Sequence, residues 1–265
     1  VVVRSFGDQE VDEGNLHVRG IEANADIAVQ NPKHARLMDT LVRDLRMAGS
    51  IERADIVHAH TWYTHFAGCL VQQLAGAKFV LTTHSLEPHR PWKAEQLDTA
   101  YRASSWIEKT AYQNADGVVA VSSSMRDDVH ELYDVARSRI QVIPNGIDPD
   151  VWQYIEKPDK LRAMGIDTEK PYVLFVGRIT RQKGIIHLVR ALQYLPPGTQ
   201  VVLAAGAPDT PEIGEEMRAA VNEAKASSGQ TIVWLDEMLL RPDLIALYSG
   251  ASVFVCPSVY EPFGI

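Results

Sequence analysis

The chain has 265 residues, 46% of them hydrophobic and 23% charged, a mixture ordinary for a globular protein. It excludes collagen, a disordered acidic tail and a disulfide-stapled miniprotein, and the length fits one large domain or two small ones. The formal net charge of -8 argues against a nucleic-acid backbone as the main partner, though a local basic site for a small anion is compatible with it.

Short β-rich apolar runs alternate along the chain with longer segments of helical period. Val1–Phe6 reads as a strand, and Lys33–Ala48 as a helix with Leu37, Leu41, Val42 and Leu45 on one face. Asp55–His58 is a strand leading into His60-Thr61-Trp62, and Thr64–Leu74 is apolar at helical spacing. Lys78–Thr83 is a strand, Tyr101–Gln113 a helix and Gly117–Val121 a strand. Ser122, Ser123 and Ser124 are N-cap candidates for the helix that follows. Ile140–Ile143 is a strand ending at Pro144-Asn145-Gly146. Pro149, Trp152 and Pro158 mark an irregular crossing. A second series follows, with strands at Tyr172–Val176, Gln200–Ala205, Thr231–Leu235 and Val253–Cys256. Its helices are expected at Gly184–Leu195, Glu212–Ala226 and Pro242–Ser249. Such alternation predicts right-handed βαβ units and parallel sheets covered on both faces. Two series predict two Rossmann-like α/β domains, residues 1–160 and 161–265.

In open parallel sheets, ligands bind beyond the carboxyl ends of strands. Residues at such positions include His60, His84, Ser122, Asn145, Arg178, Gly206, Ser258 and Glu261. The usual nucleotide fingerprints, G-x-G-x-x-G after a strand and G-x-x-x-x-G-K-[ST], are absent. H-E-x-x-H and C-x-x-C are absent too, so no metal is expected. His58 and His60 form a two-residue pair at a strand end without an evident third ligand. Gly177 to Gly184 is the most informative loop. Arg178 and Lys183 sit between a strand and a helix start, an arrangement suited to a diphosphate. A solvated basic loop is the alternative reading. Glu261, in Ser258–Ile265, follows a strand and precedes backbone N–H groups, a set suited to a polyhydroxylated ligand or to a capped turn. His84 follows a strand and could meet a sugar hydroxyl or serve the fold. Asn145 is a turn former or a ligand contact. Cys69 and Cys256 lie far apart in apolar runs, which reads as two buried, reduced thiols in a cytoplasmic protein. No run reaches the roughly 18 apolar residues of a membrane span. The start at Val1-Val2-Val3 without methionine and the stop at Glu261–Ile265 suggest a piece of something longer.

Taken together, these residues resemble the retaining nucleotide-sugar glycosyltransferases of the GT-B fold, family 4. The G-R-x-x-x-x-K-G loop is matched at Gly177, Arg178, Lys183 and Gly184. Glu261 to Ile265 match the first half of the E-x7-E motif, and Pro144 to Asp148 match P-N-G-[IV]-D. Longer strings, at 58–63, 83–92, 205–212 and 255–261, look like the actinobacterial-type glycogen synthases, a group also described as α-maltose-1-phosphate synthases. The resemblance implies two Rossmann-like domains facing a cleft, with the family's Gly-rich loop and second Glu lying outside this sequence. It implies transfer of an α-1,4-glucosyl unit from ADP-glucose to glucose 1-phosphate or a glucan end, without a separate cofactor. Arg178 and Lys183 would bind the donor diphosphate, and Glu261 with the N–H groups of Phe263, Gly264 and Ile265 would hold the sugar. His84 would lie near the reacting carbon, across the cleft, and Asn145 and Gly206 would line it. His89, Arg90 and Lys93 are candidates for an acceptor phosphate, and Trp62, Tyr63 and Trp92 for a glucan groove. A non-catalytic nucleotide-sugar binder and a transferase for another sugar are the alternatives.

Overall fold

The computed structural model describes residues 1–23 and 27–263. The chain divides into two units, 1–145 together with 262–265, and 146–261. The expected boundary at residue 160 therefore moves back to Asn145 and Gly146. The reason is packing: the Ile155 N–H donates to Ser249 Oγ at 3.1 Å, and Leu161 joins the core of the second unit.

In the first unit, β1 (Val2–Phe6), β2 (Glu10–Glu13) and β3 (Leu16–Ile21) form a small sheet ordered β1-β3-β2. Here β1 and β3 run parallel, while β2 and β3 make a hairpin closed at Gly14-Asn15. Next come α1 (Ala35–Gly49), β4 (Ile56–His60), α2 (Trp62–Ala75) and β5 (Lys78–Thr83). They are followed by α3 (Ala94–Leu97), α4 (Ala100–Asn114), β6 (Gly117–Ala120), α5 (Ser123–Tyr133) and β7 (Ile140–Val142). These last four strands form a parallel sheet in chain order, β4-β5-β6-β7. Ser122 caps α5 as expected, its hydroxyl accepting from the Met125 N–H at 3.1 Å. The face of α1 is rotated from the expected one: Leu37, Val42, Met47 and Ala48 are buried, but Leu45 is 55% exposed. Helical geometry explains the choice, because Leu37, Thr40, Asp44 and Met47 recur at three- and four-residue steps.

The second unit holds α6 (Pro158–Ala163), β8 (Tyr172–Arg178), α7 (Ile185–Ala191), β9 (Gln200–Gly206) and α8 (Pro211–Ser227). It continues with β10 (Thr231–Leu235), α9 (Arg241–Gly250) and β11 (Val253–Phe254). The crossing read as irregular thus contains a short helix, α6, which packs with α9. The strands are parallel and ordered β10-β9-β8-β11. Strand alternation sorts the core into two layers. Phe175, Val201, Leu203, Ala205 and Ile232 pack with Ile185, Val189 and Met217 on one face. Leu174, Val202 and Ala204 pack with Leu161, Ala246 and Leu247 on the other. Continuous apolar strands are what a sheet covered on both faces requires. Both cysteines are free. Cys69 is half-buried, but Cys256 is exposed, as are Val253 and Phe254 of β11 before it. Among the described residues, no helix is long and apolar enough to cross a membrane.

Candidate functional site

The strand order of the second unit decides where its chemistry gathers. From β8 the chain winds outward through β9 to β10, and then returns to place β11 on the other side of β8. The connections reverse between β8 and β11, and crevices for ligands open at such switch points beyond the carboxyl ends of strands. Lys183 follows β8 and Glu261 follows β11, and the two side chains meet there, Nζ to Oε2 at 2.7 Å. Ser258 Oγ donates to the same carboxylate oxygen at 3.0 Å. Glu261 and Lys183 are about a quarter and a third exposed, so this pair is shielded yet reachable. Arg178, the last residue of β8, is 63% exposed and is held by the Asp209 carboxylate, which is only 11% exposed. Asp209 is fixed from behind, its N–H donating to the Ile179 carbonyl at 3.2 Å just before Thr210 caps α8.

Glycine carries the close approaches. Gly184 has φ +61°, and a Cβ there would lie 2.2 Å from the Pro257 carbonyl oxygen. That contact lets the loop after β8 lie against the segment leading to Glu261. Gly184→Ala is expected to cost at least about 2 kcal/mol, from the positive φ and the clash together. Urea unfolding of the chain measures it, and an unchanged midpoint would refute the close approach. Gly206 ends β9, and a Cβ there would lie 2.5 Å from the Asp236 carbonyl oxygen. Its visible role is to admit the loop after β10. The helix after the basic loop, α7, has seven residues before a 3-10 turn takes over at Leu192.

The first unit gathers a different set. His58 and His60 lie on β4 and His84 follows β5, which pairs in register with β4. His60 Nδ1 is 3.0 Å from His84 Nε2, and the His58 ring centroid is 4.4 Å from that of His60. His58 Nε2 is 2.7 Å from Thr82 Oγ1. Burial, joined at His58 and His84 by repulsion from neighbouring rings, holds all three imidazoles below their ordinary pKa. They are therefore neutral at pH 7. Among the described residues, no group of three or more His, Cys, Asp or Glu is placed to hold a metal ion.

The loop after His84 is anchored by a buried polar network. Glu87 is fully buried, and its Oε1 takes the Lys93 ammonium at 2.7 Å. Ser104 Oγ donates to Glu87 Oε2 at 3.1 Å, and Tyr101 OH donates to the Glu87 carbonyl at 2.5 Å. Glu108 Oε1 accepts from the Glu87 N–H at 2.8 Å and from the Tyr133 hydroxyl. Burial, then the Glu87 charge, pushes the Glu108 carboxyl up to about 8.

This packing sorts the acceptor candidates. Lys93 is 4% exposed and neutralised by Glu87, so it is not a free cation for an acceptor phosphate. Trp62 is also 4% exposed and belongs to a helix-packing cluster with Leu37 and Ile107, so it is not a sugar platform. His89, Arg90 and Trp92 are half-buried, and Tyr63 is exposed. Arg90 Nη1 reaches Ser85 Oγ at 3.4 Å. Asn145 is half-buried at the division between the units, and Phe263 is 37% exposed. Gly264 and Ile265 lie outside the described residues. Asp209, Ser258 and His60 are the partners that sequence spacing did not single out for these roles. The position of each beyond a strand end was the available signal.

Two α/β units built on parallel sheets are the architecture of the GT-B transferase fold. Sucrose-phosphate synthase from Thermosynechococcus elongatus shares the fold at a TM-score of 0.71 and 22% identity, over all of this chain and 66% of that one. The model of Glycosyltransferase Family 4 matches residues 1–151, and that of Glycosyl transferases group 1 matches 156–265. The chain belongs to glycosyltransferase family 4. It is 53% identical to an alpha-maltose-1-phosphate synthase of Mycolicibacterium smegmatis, over 85% of this chain and 59% of that protein. It is 29% identical to a glycogen synthase of Mycobacterium tuberculosis, over 80% of this chain and 49% of that protein. The chain thus spans about half to three-fifths of the length of these relatives.

Proposed function

We propose that the full-length protein is a cytoplasmic, retaining glucosyltransferase that joins ADP-glucose and glucose 1-phosphate through an α-1,4 bond, releasing ADP. The observation that carries this reading is the pairing of Lys183 with Glu261 at the β8–β11 switch point. A diphosphate and a sugar need, side by side, a cation and a carboxylate that accepts from hydroxyls. Arg178 and Lys183 offset the charge that builds on the leaving diphosphate, and electrostatic stabilisation of this kind can supply most of a rate enhancement. With the acceptor attacking from the leaving-group face, no protein nucleophile is required. His84 is the candidate ligand contact of the first unit.

Glucose 1-phosphate is preferred to a glucan end on two grounds. The relative with 53% identity is named for maltose 1-phosphate. Burial of Trp62 also removes one of the three aromatic residues a glucan groove would use. His89, 3.6 Å from Asp128, and Arg90, 3.7 Å from Glu87, are less buried than Lys93 and remain as phosphate candidates. The test is a product assay of the full-length protein with ADP-glucose, offering glucose 1-phosphate and glycogen separately. Maltose 1-phosphate as the main product is expected. Elongated glycogen with no maltose 1-phosphate would reverse the acceptor, and silence with every nucleoside diphosphate glucose would leave a non-catalytic binder.

A further inference from the structure

His60 and His84 are 24 residues apart in sequence, one ending β4 and the other just past the parallel β5, yet their rings meet edge to edge. The ring centroids are 5.3 Å apart with 22° between planes, and Nδ1 of His60 faces Nε2 of His84 at 3.0 Å. Nearly coplanar rings at that separation have the alignment of an N–H···N hydrogen bond. One of the two nitrogens must carry the proton and the other must accept it.

His60 is the better anchored partner. Its ring lies against that of His58, which is tied to Thr82. Its backbone N–H donates to Thr64 Oγ1 at 3.1 Å, and that hydroxyl donates back to the His60 carbonyl at 2.8 Å. The next residue, Thr61, is held at φ +65°, a conformation a β-branched residue adopts only under constraint. The turn after β4 is therefore built to hold one geometry. His84, by contrast, leads into the loop anchored through Glu87, and His60 is the group in contact with its Nε2.

We propose that His60 is a positioning residue that fixes the plane of His84 and couples its tautomer to its own, leaving His84 Nδ1 to face a ligand. If His84 Nε2 donates, Nδ1 presents a lone pair; if Nε2 accepts, Nδ1 presents a proton. In each case the tautomer of His84 is the complement of that of His60, because only one of the two facing nitrogens carries the proton. What this says about turnover rests on the transferase reading above. What it says about the ring does not.

The test uses the isosteres of histidine in the full-length protein. The Asn side-chain amide reaches the Nδ1 position of a histidine, and the Gln amide reaches the Nε2 position. His60→Asn is therefore expected to keep His84 in one tautomer in long-range 1H–15N spectra, with turnover close to that of the parent. His60→Gln and His60→Ala are expected to give averaged His84 ring shifts. Their kcat should fall about ten- to a hundredfold, by analogy with the loss of hydrogen-bond partners that orient metal-bound histidines. KM for the nucleotide sugar should change far less. Unaltered His84 shifts in His60→Ala, or full turnover in both His60→Gln and His60→Ala, would overturn the proposal. A parent protein silent with every donor would sink the transferase reading alone, because the spectra would still decide the ring pair.

Discussion

Lys183→Ala in the full-length protein is expected to lower kcat about a hundred- to a thousandfold, the loss that follows removal of one group stabilising transition-state charge. The melting temperature should move by less than about 3 °C, because partly exposed ion pairs contribute roughly 0–1 kcal/mol. The two expectations are separable, since Lys183 is a third exposed and packs no core cluster. Arg178→Lys should also lose most of the activity. A guanidinium can hold Asp209 through one edge and a phosphate through another, and an ammonium cannot reproduce that fork. Steady-state kinetics with ADP-glucose, beside calorimetry of the same samples, checks both. Turnover within threefold of the parent for Lys183→Ala would remove the diphosphate role. On the proposed reading, donor binding replaces the Lys183–Glu261 contact, which sets a cost on it. On the same reading, Glu261→Gln should weaken donor binding, because a neutral amide oxygen accepts from hydroxyls less strongly than a carboxylate, even as it loosens the hold on Lys183.

Much of this site was legible as positions, and little of it as pairs. Strand and helix alternation located β5 and β10 to the residue, because their apolar runs are bounded by turn formers. The Ser122 cap was readable for the same local reason. The hairpin of β2 and β3 was not. Glu10, Asp12, Glu13, His17 and Arg19 interrupt its apolar residues, and its stability draws on cross-strand contacts such as Asp12 with Arg19 at 2.7 Å. Only the Gly14-Asn15 turn signalled it, with Gly14 at φ +56°. Arg178 could be flagged from its loop, but Asp209 becomes its partner only once β8 and β9 lie side by side. Lys93 misled for a related reason. A lysine in the segment after β5 reads as an available cation until its fully buried partner, Glu87, is seen.

That buried pair carries the largest stability effect expected in the first unit. Lys93→Met leaves the buried Glu87 carboxylate without its nearer cation, with only Arg90 Nη1 at 3.7 Å, and breaking a buried pair costs up to about 3–5 kcal/mol. For a unit of this size the melting temperature should fall on the order of 10 °C. Glu87→Gln in the same chain should restore part of the loss, because the charge left unpaired is then gone while the amide can still reach Ser104. If Lys93 instead gripped an acceptor phosphate, Lys93→Met would raise the acceptor KM and leave the melting temperature unchanged. Glu108 adds a pH dependence whose sign can be worked out. Its ordinary pKa of 4.5 is pushed up to about 8 in the fold, so the folded unit keeps a proton that the unfolded chain releases between those values. The stabilisation is complete below about pH 4.5, shrinks as pH rises and is gone above about pH 8, with a slope of at most about 1.4 kcal/mol per pH unit. Asp44, also pushed up to about 8 by burial, adds a slope of the same sign. The neutral histidines act oppositely: their folded pKa values lie below 6.5, so their stabilisation is lost as pH falls through that value. Glu108→Gln should therefore flatten the decline in melting temperature between about pH 4.5 and 8 and leave the range below about pH 4.5 unchanged. Calorimetry across that range decides it: equal slopes in the parent and in Glu108→Gln would show that Glu108 does not hold its proton in the fold.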